Sequence, residues 1–120
     1  MEPAKTYQDL IVWQRAHAFV MEVYAVTKSF PKDELFGLTS QLRRAAVSVP
    51  SNIVEGFSRW GDKDKIKFYN IAEASLKEAD YQLYLAQELQ YSNTTTARTL
   101  ASETQRLLAA FINSIRPSGR

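Results

Sequence analysis

The sequence predicts an all-α protein of one domain, folded as an antiparallel up-down-up-down four-helix bundle. Three observations predict it. Apolar residues recur at steps of three and four through four long segments, the spacing that lines one face of an α-helix. The four glycines and four prolines fall at the ends of those segments or at one interior position, Pro50. No stretch shows the strict alternation of a half-buried strand.

Thr6 and Asp9, three positions apart, resemble a capping box. The first helix runs from about Tyr7 to Ser29. It carries two apolar files, Leu10, Trp13, His17, Val20, Tyr24 and Val12, Ala16, Phe19, Val23, Val26, Phe30. One stripe suffices for a helix in a monomeric bundle, so two files predict burial on two sides. Phe30-Pro31 ends this helix, because a residue before proline avoids the α region and proline suits a first helical position. Asp33 and Glu34 then occupy the first turn of a second helix, at the positive end of its dipole.

That second helix runs to about Ser58 on Leu35, Leu38, Leu42, Ala45, Val49, Ile53 and Gly56. The period crosses Pro50 without a phase break. Pro50 therefore predicts a kink, not a boundary, although it removes one backbone bond and costs about 3 kcal/mol. Gly61 suits the left-handed C-terminal position and Asp62 can cap the next helix. The third helix, about Lys63 to Tyr91, has a core stripe of Lys65, Phe68, Ala72, Leu76, Ala79, Leu83 and Ala86. A second file, Ile66, Glu73, Asp80, Tyr84 and Tyr91, lies roughly 100° away. Ser92-Asn93-Thr94 makes the last turn, and a fourth helix runs from about Thr95 to Ile115. Residues 1–6 read as a loose arm and 116–120 as a frayed tail.

A chain of 120 residues makes one domain and buries roughly two-thirds of its unfolded surface. With no cysteine, disulfides, thiolate zinc sites and cysteine nucleophiles are excluded. Fifteen basic and 13 acidic residues leave a formal charge of +2, too small for a nucleic-acid footprint unless the cations cluster. No apolar run reaches the roughly 18 residues of a membrane span. The N-terminal residues lack the pattern of a signal peptide. The expectation is a cytoplasmic protein with no membrane partner.

Several motifs share one order along the chain. Tyr7-x-Asp9-Leu10-x-Val12-Trp13-Gln14 is followed by Val23-Tyr24, Phe30-Pro31-x-x-Glu34-x-x-Gly37-Leu38 and Gln41-Leu42-Arg43-Arg44-Ala45. Ser48-x-Pro50-x-Asn52-Ile53-x-Glu55-Gly56 and Phe68-x-x-Ile71-Ala72-x-x-Ser75-x-x-Glu78 complete the set. Over about residues 7 to 91 the chain resembles the four-helix bundle proteins named after open reading frames inside intervening sequences of bacterial 23S rRNA genes. The last helix matches only in pattern. The resemblance implies a homopentamer, a short barrel of protomers around a central channel. The family is also similar to the accessory variability protein of diversity-generating retroelements, a basic pentameric barrel that contacts nucleic acid and reverse transcriptase. For most members no biochemical activity is established. Independently, the double apolar files, Trp13, Trp60 and the tyrosines exceed what one core hides, and patches of that size mark an interface. Trp13, Tyr24, Ile66 and Tyr84 are the candidate interface residues.

Arg43 and Arg44, with Arg59, Lys63, Lys65 and Lys67, form the candidate nucleic-acid surface. The competing reading pairs Arg44 with Glu55 or an acidic neighbour and offsets the lysines with Asp62 and Asp64. Glu34, Gln41, Ser48, Asn52 and Glu55 run beside the apolar seam. They read as a structural polar network in which Ser48 and Asn52 satisfy backbone groups freed by Pro50. A di-iron site would need Glu-x-x-His pairs, and His17 has no Glu three residues before it. His17 reads as a packed, hydrogen-bonded core or interface residue. The Arg-to-His spacing of small helical toxin nucleases is missing, since only Arg15-x-His17 is present. With no phosphate loop, catalytic triad or HExxH motif, the expectation is a non-enzymatic, cofactor-free module. It either contacts RNA or DNA weakly or serves as a protein-binding adaptor or scaffold.

Overall fold

A computed structural model of the chain describes residues 3–116. Of the arm expected over 1–6 and the tail over 116–120, only residues 3–6 and Arg116 fall within that range. Among the described residues there are four α-helices and no strand: α1 (Ile11–Thr27), α2 (Leu38–Phe57), α3 (Asp62–Glu88) and α4 (Thr95–Ile115). None is long and apolar enough to cross a membrane.

The first expected helix is split. The Asp9 carboxylate accepts the backbone N–H groups of Lys5 (2.9 Å) and Thr6 (3.1 Å), closing a 3-10 turn over Tyr7–Asp9. The Thr6 bond, then the Lys5 bond, hold that carboxyl below the usual range. Leu10 is extended, and α1 starts after it.

The second expected helix also starts late. Pro31 opens a 3-10 turn over Lys32–Glu34, and Gly37, at φ −109° and ψ −113°, separates this turn from α2. Leu35 therefore leaves the seam and lies half exposed in the connection. Leu38, Leu42, Ala45, Val49, Ile53 and Gly56 are buried as expected, and α2 continues unbroken through Pro50. Gly61 is extended, at φ −98° and ψ 149°, and stands at the start of α3 instead of taking a left-handed position at the end of α2.

At the far end of α3 the chain closes a Schellman turn. The Tyr91 N–H donates to the Ala86 carbonyl (2.9 Å) across Gln90, which takes the left-handed conformation at φ 62°. Helix α4 has the bounds expected of it.

Side-chain pairs fix the directions. Ser48 meets Ser75 (2.8 Å) and Gly56 lies against Tyr69, so α2 and α3 are antiparallel. Asp80 pairs with Arg98, Glu73 with Gln105, and the Tyr69 ring meets that of Phe111 at a tilt, 5.0 Å between centres, which makes α3 and α4 antiparallel. The backbone of α1 neighbours those of α2 and α4, and the backbone of α3 likewise neighbours those of α2 and α4, while the diagonal pairs stand further apart. The result is a four-cornered bundle of 46 × 27 × 24 Å.

Its core holds Phe19, Val23, Leu42, Val49, Ile53, Leu76, Leu83 and Leu108, all essentially inaccessible to solvent. One core residue corrects the expected stripe: Tyr69 is buried, whereas Phe68 is only partly so. Gly56 makes the room, because with no Cβ there the Tyr69 ring slides against the α2 backbone. Burial pushes the Tyr69 phenol up to about 12.

Candidate interaction surfaces

An exposed, partly apolar groove follows the α1–α2 seam. The file Trp13, His17, Val20 falls on one flank of α1, one turn apart, and faces Val47, Pro50, Ser51 and Val54 of α2. Trp13 and His17 stack in parallel at 5.2 Å, and the Tyr7 ring meets Trp13 edge-on at 5.0 Å. Toward the other end the groove continues past Val47 and Ser51 to Tyr24, Leu35 and Phe36, with Arg43 and Arg44 also on its wall. Phe36 is 92% exposed. His17 is exposed too, so it is a groove residue and not a core one.

The six basic candidates do not form one surface. Arg43 is committed inward: its Nε donates to Thr27 Oγ1 (2.9 Å) and its guanidinium lies 4.6 Å above the Tyr24 ring. Thr27 in turn donates to the Val23 carbonyl (2.8 Å). Lys65 caps α2, donating to the carbonyl oxygens of Phe57 (2.9 Å) and Gly56 (3.4 Å). Arg59 pairs with Glu55 (3.2 Å) and stacks on Phe68 at 4.5 Å. Glu55 is thus Arg59's partner, not Arg44's, a correction explained by their i, i+4 spacing on one helix. Arg44, Lys63 and Lys67 are exposed and take no hydrogen-bond or ion-pair partner among the described residues. Arg44 stands 15 residues before Arg59, about 22 Å along a helix axis.

The expected polar network is three separate devices. The Asn52 amide donates to the Ser48 carbonyl (2.8 Å) and Ser48 Oγ (3.0 Å), and Ser48 Oγ bonds Ser75 Oγ across the seam. A proline at position 50 frees the carbonyl four residues earlier, that of Ala46, so this trio does not serve the freed group. Glu34 acts elsewhere. Its Oε1 accepts the Leu38 N–H (3.0 Å) at the start of α2, and its Oε2 accepts the Tyr91 hydroxyl (2.8 Å). The Leu38 bond, then the Tyr91 bond, lower the Glu34 pKa, and the same carboxylate raises that of Tyr91. Glu55 belongs to Arg59, and Gln41 is exposed.

Of the candidate interface residues, Trp13 and Tyr24 share the α1–α2 groove. Ile66 and Tyr84 sit on the α4 side of α3, where Tyr84 lies 5.1 Å from the Arg98 guanidinium. The structure thus divides them between different sides of the bundle. Among the described residues no group of three His, Asp or Glu side chains is placed to hold a metal ion.

The comparison with known families decides the relationship. The model of the 23S rRNA-intervening sequence protein family matches residues 8–113, nearly the whole chain. The chain belongs to this family. A solved structure, a protein of unknown function of the S23 ribosomal protein family from Bacteroides thetaiotaomicron, superposes with a TM-score of 0.78. It shares 23% identity, over 85% of this chain and 98% of that one, and shows the same fold. No curated protein matches.

Among the exposed aromatic residues of this family member, Trp60 and Tyr81 belong to the surplus expected from the sequence, whereas Phe36 does not. Phe36 and Trp60 flank the two ends of α2, each beside a glycine and outside every helical stripe. An aromatic residue in a turn, off both apolar files, is the sequence signal that marks Phe36. Trp60 is fully exposed next to Arg59.

Proposed function

We propose that the protein is a non-enzymatic helical building block that assembles with copies of itself. The observation that carries this reading is the contiguous exposed groove from Trp13 through Tyr24 and Val47 to Phe36. Apolar surface of that extent, left uncovered, marks an interaction site. Identical copies joined through unlike patches close into a ring when the rotation between neighbours closes, and the pentamer implied by the family resemblance is the form expected here. Pro50 lines the groove, and the bend it introduces into α2 belongs to the same reading. Native mass spectrometry or light scattering at micromolar concentration tests it. A particle of five times 13.7 kDa is the expected result, and a monomer overturns it.

A second reading, contact with RNA or DNA, draws on Trp60. An exposed indole beside Arg59, Lys63 and Lys67 is suited to stacking on an unpaired base while cations meet phosphates. Ring assembly would repeat this modest patch once per protomer. Retention of a single-stranded oligonucleotide at low salt, lost steeply as salt rises, is the expected behaviour. No retention at low salt leaves a protein-binding adaptor or scaffold.

A further inference from the structure

Helix α3 carries a second exposed surface, on another side of the bundle from the groove. Along the outer side of α3, Ile71, Ala74, Glu78, Tyr81, Leu85 and Glu88 follow one another at steps of three and four. This is a second stripe, distinct from the buried one on Tyr69, Ala72, Leu76, Ala79, Leu83 and Ala86. Ile71 is 42% and Tyr81 60% exposed, so the ridge keeps apolar surface that its own protomer does not cover. Its charges are Glu78 and Glu88, and no cation lies on the stripe. The α1–α2 groove is the converse: Arg43 and Arg44 line it and no carboxylate does.

We infer that the α1–α2 groove of one protomer seats the α3 ridge of a second copy, with Arg44 opposite Glu78. This inference rests on the self-assembly reading and names the two surfaces that would meet. Height supports the pairing. Ser48 and Ser75 touch across the α2–α3 seam, so residues 40–47 of α2 stand level with residues 76–83 of α3. In a closed ring with the bundle axes along the ring axis, every protomer shares one height. Arg44 of one copy then stands level with Glu78 and Tyr81 of the next. Arg44 takes no partner within its own protomer among the described residues. Glu78 only accepts a 3.3 Å bond from the Gln82 amide, which leaves its carboxylate capacity for another donor. Lys77 falls on the α4 flank of α3, about 100° around the helix from Glu78, away from this contact. Groove and ridge are different patches on different sides of the bundle. That is the heterologous arrangement that generates rings, not two-fold dimers.

Charge reversal tests the pairing, because all the residues changed are exposed. Arg44→Glu and Glu78→Arg, each alone, put like charges opposite one another. Each is expected to raise the assembly dissociation constant by about tenfold or more. The double variant restores an opposite pair and is expected to recover most of the assembled mass. Tyr81→Ser removes apolar contact instead of charge and is expected to weaken assembly without altering the helical circular dichroism. Wild-type protein that assembles while both single reversals keep their full mass overturns the pairing and leaves self-assembly standing. A double variant no better than the singles does the same. A monomeric wild type overturns both readings.

Discussion

Gly56 and Tyr69 are in direct contact: a Cβ at Gly56 would stand 2.5 Å from Cε1 and 2.9 Å from Cδ1 of the Tyr69 ring. The ring has no room to retreat, since it is almost wholly buried and packed on Phe111. Gly56→Ala therefore sets two effects against each other. Alanine favours the helix by about 1 kcal/mol. Overpacking against an immobile ring costs about 1–3 kcal/mol. We expect a net loss of stability, read as a lower urea midpoint. Gly61→Ala, where nothing lies within 4 Å, is the control and should be near neutral. A more stable Gly56→Ala variant would show that Tyr69 yields.

Glu34 ties the start of α2 to the end of α3. Its carboxyl pKa is held below the ordinary 4.5 by the Leu38 N–H and the Tyr91 hydroxyl. A carboxyl with a depressed folded pKa stabilises the fold above its unfolded pKa, and the contribution is lost as pH falls through the folded value. Glu34→Gln is thus expected to be less stable than wild type at pH 7, with the gap closing as pH falls below the ordinary 4.5. A gap that persists in strong acid would assign the loss to packing.

Lys65 and Lys67 separate structure from surface. Lys65→Ala removes the cation that caps the last carbonyls of α2 and is expected to cost about 0.5–1.5 kcal/mol. Lys67→Ala should leave stability unchanged, because its side chain is exposed and unpaired among the described residues. If single-stranded nucleic acid binds near Trp60, Lys67→Ala lowers its affinity and shallows the salt dependence. Equal thermal shifts for the two variants would contradict this division.

Gln90 occupies a left-handed position that glycine takes without steric strain. Gln90→Gly is expected to raise stability by about 0.5–1 kcal/mol, once the greater freedom of glycine in the unfolded chain is set against the relief. The Tyr91 to Glu34 bond should survive, since the turn that places Tyr91 is kept. A drop in the thermal midpoint would show that the Gln90 side chain contributes contacts of its own.

Much of the fold was legible in the residues themselves. Number of helices, their antiparallel order, the bounds of α4 and most of the core follow from local periodicity and short connections. These depend on neighbours three and four positions apart, which a sequence displays directly. The i, i+4 pair of Glu55 and Arg59 was equally local and equally readable, and the assignment of Glu55 to Arg44 overlooked it.

Tertiary structure alone decided the rest. Where α2 begins depends on Glu34, whose second bond goes to Tyr91, 57 residues away. Tyr69 took the core from Phe68 because Gly56 on another helix left space for a ring. The basic candidates divided because Lys65 found the carbonyls of α2 and Arg43 found Thr27 and Tyr24 of α1. The groove and the α3 ridge are likewise products of packing, since each file became inner or outer only when its neighbours docked. Periodicity tells which residues share a helix face; burial of that face is settled by the helices that come to lie against it.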